Sequence, residues 1–188
     1  RILAVGNKLF FPADDANTGV DLWQYNISTS TASPVADIAP GSLHSYPSNA
    51  MEVNGIVYFS SGGPNGIELH SHDTATGITA EVVDFSGSGN PGSLVWFNNK
   101  IYFGARNHAL GRELWSYDPA TGDTALVADI NPGSGWSAPG GLTEYNGKLY
   151  FSADAGAGMG EELYSMDASE NVQFVAEINP SGHGSPQE

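Results

Sequence analysis

The sequence predicts an all-β protein made of four copies of one four-stranded unit. A short motif, a turn rich in Asn and Gly followed by an apolar strand, recurs with starts 48, 44 and 48 residues apart. The copies start at Gly6, Asn54, Asn98 and Asn146, and four such units account for all 188 residues. Periods of this size are typical of solenoids, propellers and other arrays of small modules.

The two ends of the chain read as two parts of one broken copy. The tail from Ile178 followed by the head as far as Phe11 gives 22 residues, with the landmarks of the internal stretch 130–151 in the same order. Ends that lie in phase within one repeat favour closure. We therefore expect a four-bladed β-propeller closed by pairing of the N-terminal segment Arg1–Phe11 with the C-terminal segment Asn171–Ile178. The expected single domain, 1–188, has repeat units of approximately 1–46, 47–93, 94–138 and 139–188.

The four strands of a unit follow from local signals. Gly141–Tyr145 leads into Asn146-Gly147, and Asn-Gly between apolar runs is the strongest short signal for a β-hairpin. Lys148–Ser152 is the second strand and Glu162–Asp167 the third, while the preceding copy supplies the clearest fourth strand, Thr124–Ile130. These runs are short and rich in β-branched and aromatic residues, and no helical period competes with them.

An antiparallel order places the connections of each unit at two ends. The turns between first and second strands, and between third and fourth strands, share one end, named here the turn end. The loops between second and third strands, and the loops that cross to the next unit, share the opposite end, named here the loop-rich end. The residues that differ most between copies fall in these loops, so we expect function at the loop-rich end.

Composition narrows the classes of function. The net charge is −15, from 21 acidic and six basic residues, which disfavours nucleic acid and suits cations or cationic partners. No apolar run approaches the roughly 18 residues of a membrane span, so no membrane insertion is expected. The absence of Cys excludes disulfides and thiolate metal sites. The chain starts at Arg1 rather than Met, so any targeting segment lies outside the sequence given. Repeat-built bacterial surface proteins commonly lack Cys, and we expect an extracellular or cell-surface location.

Two stretches carry a resemblance to a known family. Gly111-Arg112-Glu113-Leu114-Trp115-Ser116-Tyr117-Asp118 and Leu142-Thr143-Glu144-Tyr145-Asn146-Gly147-Lys148-Leu149-Tyr150-Phe151 resemble the bacterial E-L-W-x-x-D-G-T repeats. That family implies a propeller-like fold in tandem arrays of large secreted or surface proteins, and it implies no defined activity. The sequence departs from the pattern at D-G-T, where it reads Asp118-Pro119-Ala120-Thr121-Gly122.

Two acidic positions recur in every copy. One position precedes the third strand, and its residues are named here the inner acids: Asp21, Glu68, Glu113 and Glu162. The other ends the fourth strand, and its residues are named here the outer acids: Asp37, Asp84, Asp129 and Glu177. Opposed carboxylates repel, so repetition in four copies indicates compensation. Ca²⁺ with backbone carbonyl ligands would supply it. The alternative is a structural latch in which each acid accepts hydrogen bonds from loop N–H groups.

The crossing loops supply candidate ligand-binding residues of mixed character: His44, Tyr46, Asn90, Trp136 and His183. Aromatic rings stack on sugar faces and amides bind hydroxyls, so this set would suit a glycan, a small ligand or a protein surface. The alternative is that Tyr46 and Trp136 only cover junctions between units. His70 and His72 are spaced like metal ligands but occupy positions that hold aromatic residues in other copies, which indicates core packing.

The sequence contains no motif for catalysis, such as G-x-S-x-G or H-E-x-x-H. We therefore expect a non-catalytic extracellular or cell-surface module that presents an acidic, loop-rich face to a glycan, small ligand or protein. Two alternatives remain open. The chain could be a purely structural unit of a larger extracellular protein or assembly, or a carbohydrate-active enzyme that uses paired carboxylates. Repetition of the acids in every copy disfavours the enzyme.

Overall fold

The computed structural model describes residues 1–41 and 43–178, which form sixteen β-strands and no helix. The strands pair into four sheets of four, and each sheet takes its strands consecutively from the chain. The chain divides into two compact units, residues 1–90 and 91–188, each with two sheets.

The first unit contains eight strands, and all pairing within its two sheets is antiparallel. Its first sheet has the order β1 to β4: Leu3–Val5, Lys8–Asp14, Val20–Asn26 and Thr31–Ala36. Its second sheet has the order β5 to β8: Ser48–Val53, Ile56–Gly63, Gly66–Asp73 and Thr79–Val83. The core joins Phe10 and Leu22 of the first sheet to Val57 and Phe59 of the second.

The second unit repeats this arrangement. One sheet contains β9 to β12: Gly92–Phe97, Lys100–Asn107, Gly111–Tyr117 and Thr124–Ala128. The other contains β13 to β16: Gly140–Tyr145, Lys148–Asp154, Glu161–Met166 and Val172–Ala176. Tyr102 and Leu114 of one sheet pack with Leu149 and Met166 of the other. β10 is buried at five successive residues, from Ile101 to Ala105, whereas burial alternates along β14.

Local turn chemistry explains where the strands reverse. Asn54, Gly55, Asn146 and Gly147 all have φ between 52° and 83°, as a two-residue hairpin turn with positive φ at both positions requires. The turns between third and fourth strands are also alike. Asp73 and Asp118 each accept a hydrogen bond from the N–H of the Gly four residues later, at 2.8 Å.

The predicted all-β fold of four four-stranded repeats is confirmed, but the predicted pairing of the chain ends is wrong. Leu3–Val5 pairs with β2 of its own sheet, and Val172–Ala176 pairs with β15. The head and the tail therefore lie in different sheets. Each end of the chain instead pairs with the strand next to it in sequence. Closing a hairpin costs less chain entropy than pairing distant segments. β9 begins at Gly92, within two residues of the approximate unit boundary expected at residues 93 and 94.

His70 and His72 occupy aromatic positions of the core, as predicted. His70 stacks on Phe59, its cross-strand partner, with ring centroids 5.8 Å apart, and the same pair in the last sheet is Phe151 with Tyr164 at 6.0 Å. Both imidazoles are almost fully buried. Burial lowers the pKa of His70 and of His72, which favours the neutral form of both imidazoles.

Candidate binding surface at the loop-rich end

The inner acids are the most deeply buried charged residues of the structure. Relative exposure is 1% for Asp21, 0% for Glu68, 0% for Glu113 and 1% for Glu162. Each stands at or next to the start of a third strand, at the loop-rich end. A buried carboxylate is tolerated only when hydrogen-bond donors surround it, so the donors show what these four residues do.

Glu113 is held by the crossing loop that follows its sheet. Its carboxylate accepts hydrogen bonds from the Ile130 N–H at 2.8 Å, the Ser137 N–H at 3.1 Å and the Ser137 hydroxyl at 2.5 Å. The Ser137 carbonyl in turn accepts from the N–H of Asp154 at 2.8 Å, on β14 of the next sheet. Ser137 thus ties β11 of one sheet to β14 of the next within the second unit.

The first unit contains the same tie. The Ser45 hydroxyl donates to the Asp21 carboxylate at 2.6 Å. The Ser45 carbonyl accepts from the Gly62 N–H at 2.6 Å, at the end of β6. The inner acids of both units therefore accept hydrogen bonds as a structural latch does, which is the alternative to a Ca²⁺ role for them.

Glu68 is held without a serine. It accepts from the Gly89 N–H at 3.0 Å and the Phe85 N–H at 3.4 Å. A side chain at Gly89 would have no room, because a Cβ there would lie 2.3 Å from the Phe85 ring and 2.8 Å from the Glu68 carboxylate. Burial, opposed by these two hydrogen bonds and reinforced by the nearby charges of Asp84 and Glu81, raises the pKa of Glu68 to about 7.

Asp21, Glu162 and the outer acids are less fully engaged by protein donors than Glu68 and Glu113, and the second carboxylate oxygen of Asp21 has no donor among the described residues. Glu162 accepts from the Ile178 N–H, and its other carboxylate oxygen has no donor among the described residues. Asp37, Asp84 and Glu177 are exposed and Asp129 is half-buried. Within residues 1–41 and 43–178, no group of three or more His, Asp or Glu side chains is arranged to hold a metal ion. A Ca²⁺ site at the recurring acids stays a prediction from the sequence.

The two latch serines were missed by the sequence reasoning, although a signal for them exists. Ser45 follows Asp21 by 24 residues and Ser137 follows Glu113 by 24 residues. Gly89 takes the same place after Glu68 in a crossing loop three residues shorter, 21 residues later. Comparing the copies by distance from the inner acid, rather than by residue type, would have found the position.

The crossing loops share one backbone anchor next to the latch. Tyr46, Asn90 and Ala138 all have φ of 45° or 46°. The N–H of each donates to the carbonyl of the residue before an inner acid, at 3.2, 2.9 and 3.0 Å. The backbone of these loops is therefore the same in three places, while the side chains that they carry differ.

The structure groups the candidate ligand-binding residues into separate sets. In the first unit, the rings of His44 and Tyr46 lie 5.1 Å apart, and Tyr46 is 64% exposed. Asn90 is exposed, and its amide donates to the Ser88 hydroxyl at 3.0 Å. His183 lies outside the described residues.

In the second unit, Trp136 is 53% exposed, as expected for a residue presented to solvent at the loop-rich end. The guanidinium of Arg106 lies over its ring, 5.6 Å from the ring centroid. This contact was not predicted from the sequence.

Comparison with known proteins shows the fold. No protein family matches the chain, and neither does any curated protein. Among solved structures, puromycin hydrolase matches 97% of this chain at 15% identity with a TM-score of 0.66. TolB from Acinetobacter baumannii matches 94% at 12% identity with a TM-score of 0.58. The nidogen/laminin complex matches 92% at 12% identity with a TM-score of 0.57.

The matched proteins are β-propeller proteins, and together with the four four-stranded sheets they show a β-propeller fold with four blades in the described residues. The chain spans only 28% of puromycin hydrolase, 42% of TolB and 62% of the matched chain of the nidogen/laminin complex. No helix in the described part of the chain has the length and apolar character needed to cross a bilayer.

Proposed function

We propose that the chain is a non-catalytic binding module that contacts a protein partner through the loop-rich ends of its blades. The observation that carries the proposal is the exposure of large aromatic side chains on loops whose backbone is fixed. Trp136 and Tyr46 are 53% and 64% exposed, and each adjoins a latch serine that is buried. Exposed Trp, Tyr and Arg on a rigid scaffold are the residues that dominate protein–protein binding energy.

Two further observations support a protein partner in an extracellular or cell-surface setting. The nidogen/laminin complex, a complex between two proteins, is among the solved structures with this fold. The sequence resemblance to E-L-W-x-x-D-G-T repeats favours a secreted or surface protein of which this chain would be one module. A glycan is the competing ligand class, since Trp136 and the His44–Tyr46 pair would also stack on sugar rings.

The competing roles have less support. A glycosidase needs a carboxylic acid and a second carboxylate free to act on substrate. Both carboxylate oxygens of Glu113 are occupied by Ser137 and Ile130, which favours a latch over acid–base chemistry. A purely structural unit would not require Trp136 and Tyr46 to be exposed, because equivalent junctions present similar surfaces.

The test is selection of ligands on the immobilised protein from a random-peptide display library and from a glycan array. Peptides selected by the unaltered protein should lose about 30-fold in affinity with Trp136→Ala, or roughly 2 kcal/mol. Tyr145→Ala is the matched control, because Tyr145 is 68% exposed but adjoins the Asn146-Gly147 turn at the turn end. Equal effects of the two variants, or selection of glycans and no peptides, would overturn the proposal.

A further inference from the structure

The first unit contains an open apolar groove at its loop-rich end, named here the Leu43 groove. It has a volume of about 570 Å³, within the range of sites that hold small ligands or short peptide segments. One wall comes from the crossing loop and is formed by Pro40, Leu43 and His44. The other is formed by Pro64, in the turn between β6 and β7, and by Ile67 at the start of β7. Leu43 is 65% and Ile67 39% exposed, so both walls present apolar surface to solvent.

Glycines keep the floor of the Leu43 groove open. Gly62 and Gly63 line it, and neither has a positive φ. A Cβ at Gly63 would meet nothing nearer than 3.8 Å, the carbonyl oxygen of Ile38. The space above this residue is therefore unfilled, although the backbone there would accept a side chain.

The crossing-loop wall is held in place before any partner binds. Gly19 has a φ of 81°, and a Cβ there would lie 2.4 Å from the carbonyl oxygen of Leu43, so the loop rests directly on the start of β3. His44 Nδ1 accepts a hydrogen bond from the Val20 N–H at 2.9 Å. The neutral imidazole then carries its proton on Nε2, which makes His44 a hydrogen-bond donor on the groove wall.

The charge around the groove selects the kind of partner. Residues 1–90 contain nine acidic residues and two basic ones, Arg1 and Lys8. Lys8 begins β2 at the turn end, where its ammonium contacts the carbonyl of Thr74 at 3.5 Å. Four acids lie at or beyond strand ends on the loop-rich side: Asp14, Asp15, Asp37 and Asp84. Arg1 precedes β1 at the same end, but the four acids outnumber it, so the field there is net negative and attracts cationic segments.

We propose that the Leu43 groove binds an extended segment of a protein partner that combines aliphatic or proline side chains with lysine or arginine. The apolar side chains occupy the space above Gly63 between Leu43 and Ile67. The His44 Nε2–H donates to a peptide carbonyl, and the cationic side chains face the acids at the strand ends. This inference deepens the proposed function and rests on it, because it specifies the chemistry of the partner and one place where it binds.

The test uses fluorescence anisotropy with a short labelled peptide in which Lys, Leu and Pro alternate. Matched peptides carry Glu in place of Lys, or Ser in place of Leu. The Lys-Leu-Pro peptide should bind, both matched peptides should bind at least about tenfold more weakly, and added salt should weaken binding. Equal binding of all three peptides would overturn the proposal.

Two variants locate the site. Gly63→Leu fills the groove without a backbone clash, and Leu43→Ser removes one apolar wall; each should weaken the peptide about tenfold or more. Ile78→Ser is the control, because Ile78 is 66% exposed but lies in the turn between β7 and β8 at the turn end. Circular dichroism and the melting temperature of each variant establish that it is folded.

The outcomes separate this inference from the proposed function. If Gly63→Leu and Leu43→Ser leave the affinity for the peptide unchanged while Trp136→Ala abolishes binding, the Leu43 groove is not the site. The proposal of a binding module would then still hold. Failure of the library selection to yield any peptide, together with no binding of the Lys-Leu-Pro peptide, would overturn both.

Discussion

The hydroxyl of Ser137 donates to the buried carboxylate of Glu113 at 2.5 Å, and the two residues are 24 positions apart in the chain. The Ser137 carbonyl also accepts a hydrogen bond from the N–H of Asp154, which lies in the next sheet. The same geometry recurs with Ser45, Asp21 and Gly62. The free energy of unfolding is sensitive to each donor of a buried carboxylate, because the removal of one donor leaves part of the buried charge without a hydrogen bond.

We therefore expect Ser137→Ala to lower the free energy of unfolding by about 1–3 kcal/mol, since it removes a donor to a buried carboxylate. Ser134→Ala is the matched control: Ser134 is exposed in the same crossing loop, and surface changes usually fall within about 0.5 kcal/mol. Urea denaturation of the unaltered protein and of both variants measures the difference in the free energy of unfolding. Equal midpoints for the two variants would show that the hydroxyl of Ser137 carries no stability.

Glu68 should make stability depend on pH. Its folded pKa of about 7 lies above the ordinary value of 4.5, so the folded protein binds more protons than the unfolded chain between these values. Its contribution is fully present below about pH 4.5 and is lost as the pH rises through 7. The buried His70 and His72 act in the opposite sense, because burial lowers each pKa.

Glu68→Gln isolates this effect, because the histidine contributions cancel when the variant is compared with the unaltered protein at each pH. The difference in melting temperature, variant minus unaltered, should be more favourable to the variant at pH 8 than at pH 5. Thermal denaturation followed by circular dichroism at both values measures it. A difference that is independent of pH would show that Glu68 does not titrate in this range.

Glu170 joins the two sheets of the second unit at the turn end. Its Oε1 accepts from the Lys100 ammonium at 2.8 Å and from the hydroxyl of the fully buried Tyr102 at 2.9 Å. A double-mutant cycle with Glu170→Gln and Tyr102→Phe should give a coupling of about 1–2 kcal/mol, because the hydroxyl loses a charged acceptor. The cycle of Glu170→Gln with Lys100→Met should give less, about 0.5 kcal/mol, since Lys100 is part-exposed. A larger coupling energy for Glu170 with Lys100 than for Glu170 with Tyr102 would show that the ion pair is the stronger interaction.

Gly111 allows the loop that carries Trp136 to approach β11. Its φ is 75°, and a Cβ there would overlap the carbonyl oxygen of Gly135. Gly111→Ala should lower the free energy of unfolding by about 2 kcal/mol or more. Gly122→Ala has a similar φ of 79° with nothing within 4 Å of the added Cβ, so it measures the backbone strain alone, about 1 kcal/mol. Guanidinium denaturation of both variants isolates the close approach.

Chelation tests the remaining cation hypothesis. We expect a chelator to leave the melting temperature unchanged, because N–H and O–H donors already occupy both carboxylate oxygens of Glu68 and of Glu113 and one carboxylate oxygen of Asp21. A fall in melting temperature that Ca²⁺ restores would instead show mass-action stabilisation by a bound cation. Asp129→Asn would then locate it, because one carboxylate oxygen of Asp129 is buried with no protein donor among the described residues.

Much of the fold could be predicted from the sequence because its signals are local. The Asn146-Gly147 turn, the aromatic position filled by His70 and the recurrence of the inner acids each depend on a few neighbouring residues. Hairpin geometry and alternation of side chains then determine strand number, strand order and the assignment of loops to two ends. The sequence by itself thus determined the four-stranded repeat and the end of each sheet at which variable residues collect.

The tertiary structure decided everything that depends on residues far apart in the chain. It paired Leu3–Val5 with β2 rather than with the tail, and it chose Ser45, Ser137 and Gly89 as the donors to three inner acids. It left Trp136 exposed beneath Arg106 and opened the Leu43 groove above Gly63. The physical reason is that burial and hydrogen-bond partnership at these positions arise from packing between neighbouring sheets. A repeat pattern specifies that neighbouring units pack together, but the side chains of the particular crossing loop decide what fills each junction and what remains open.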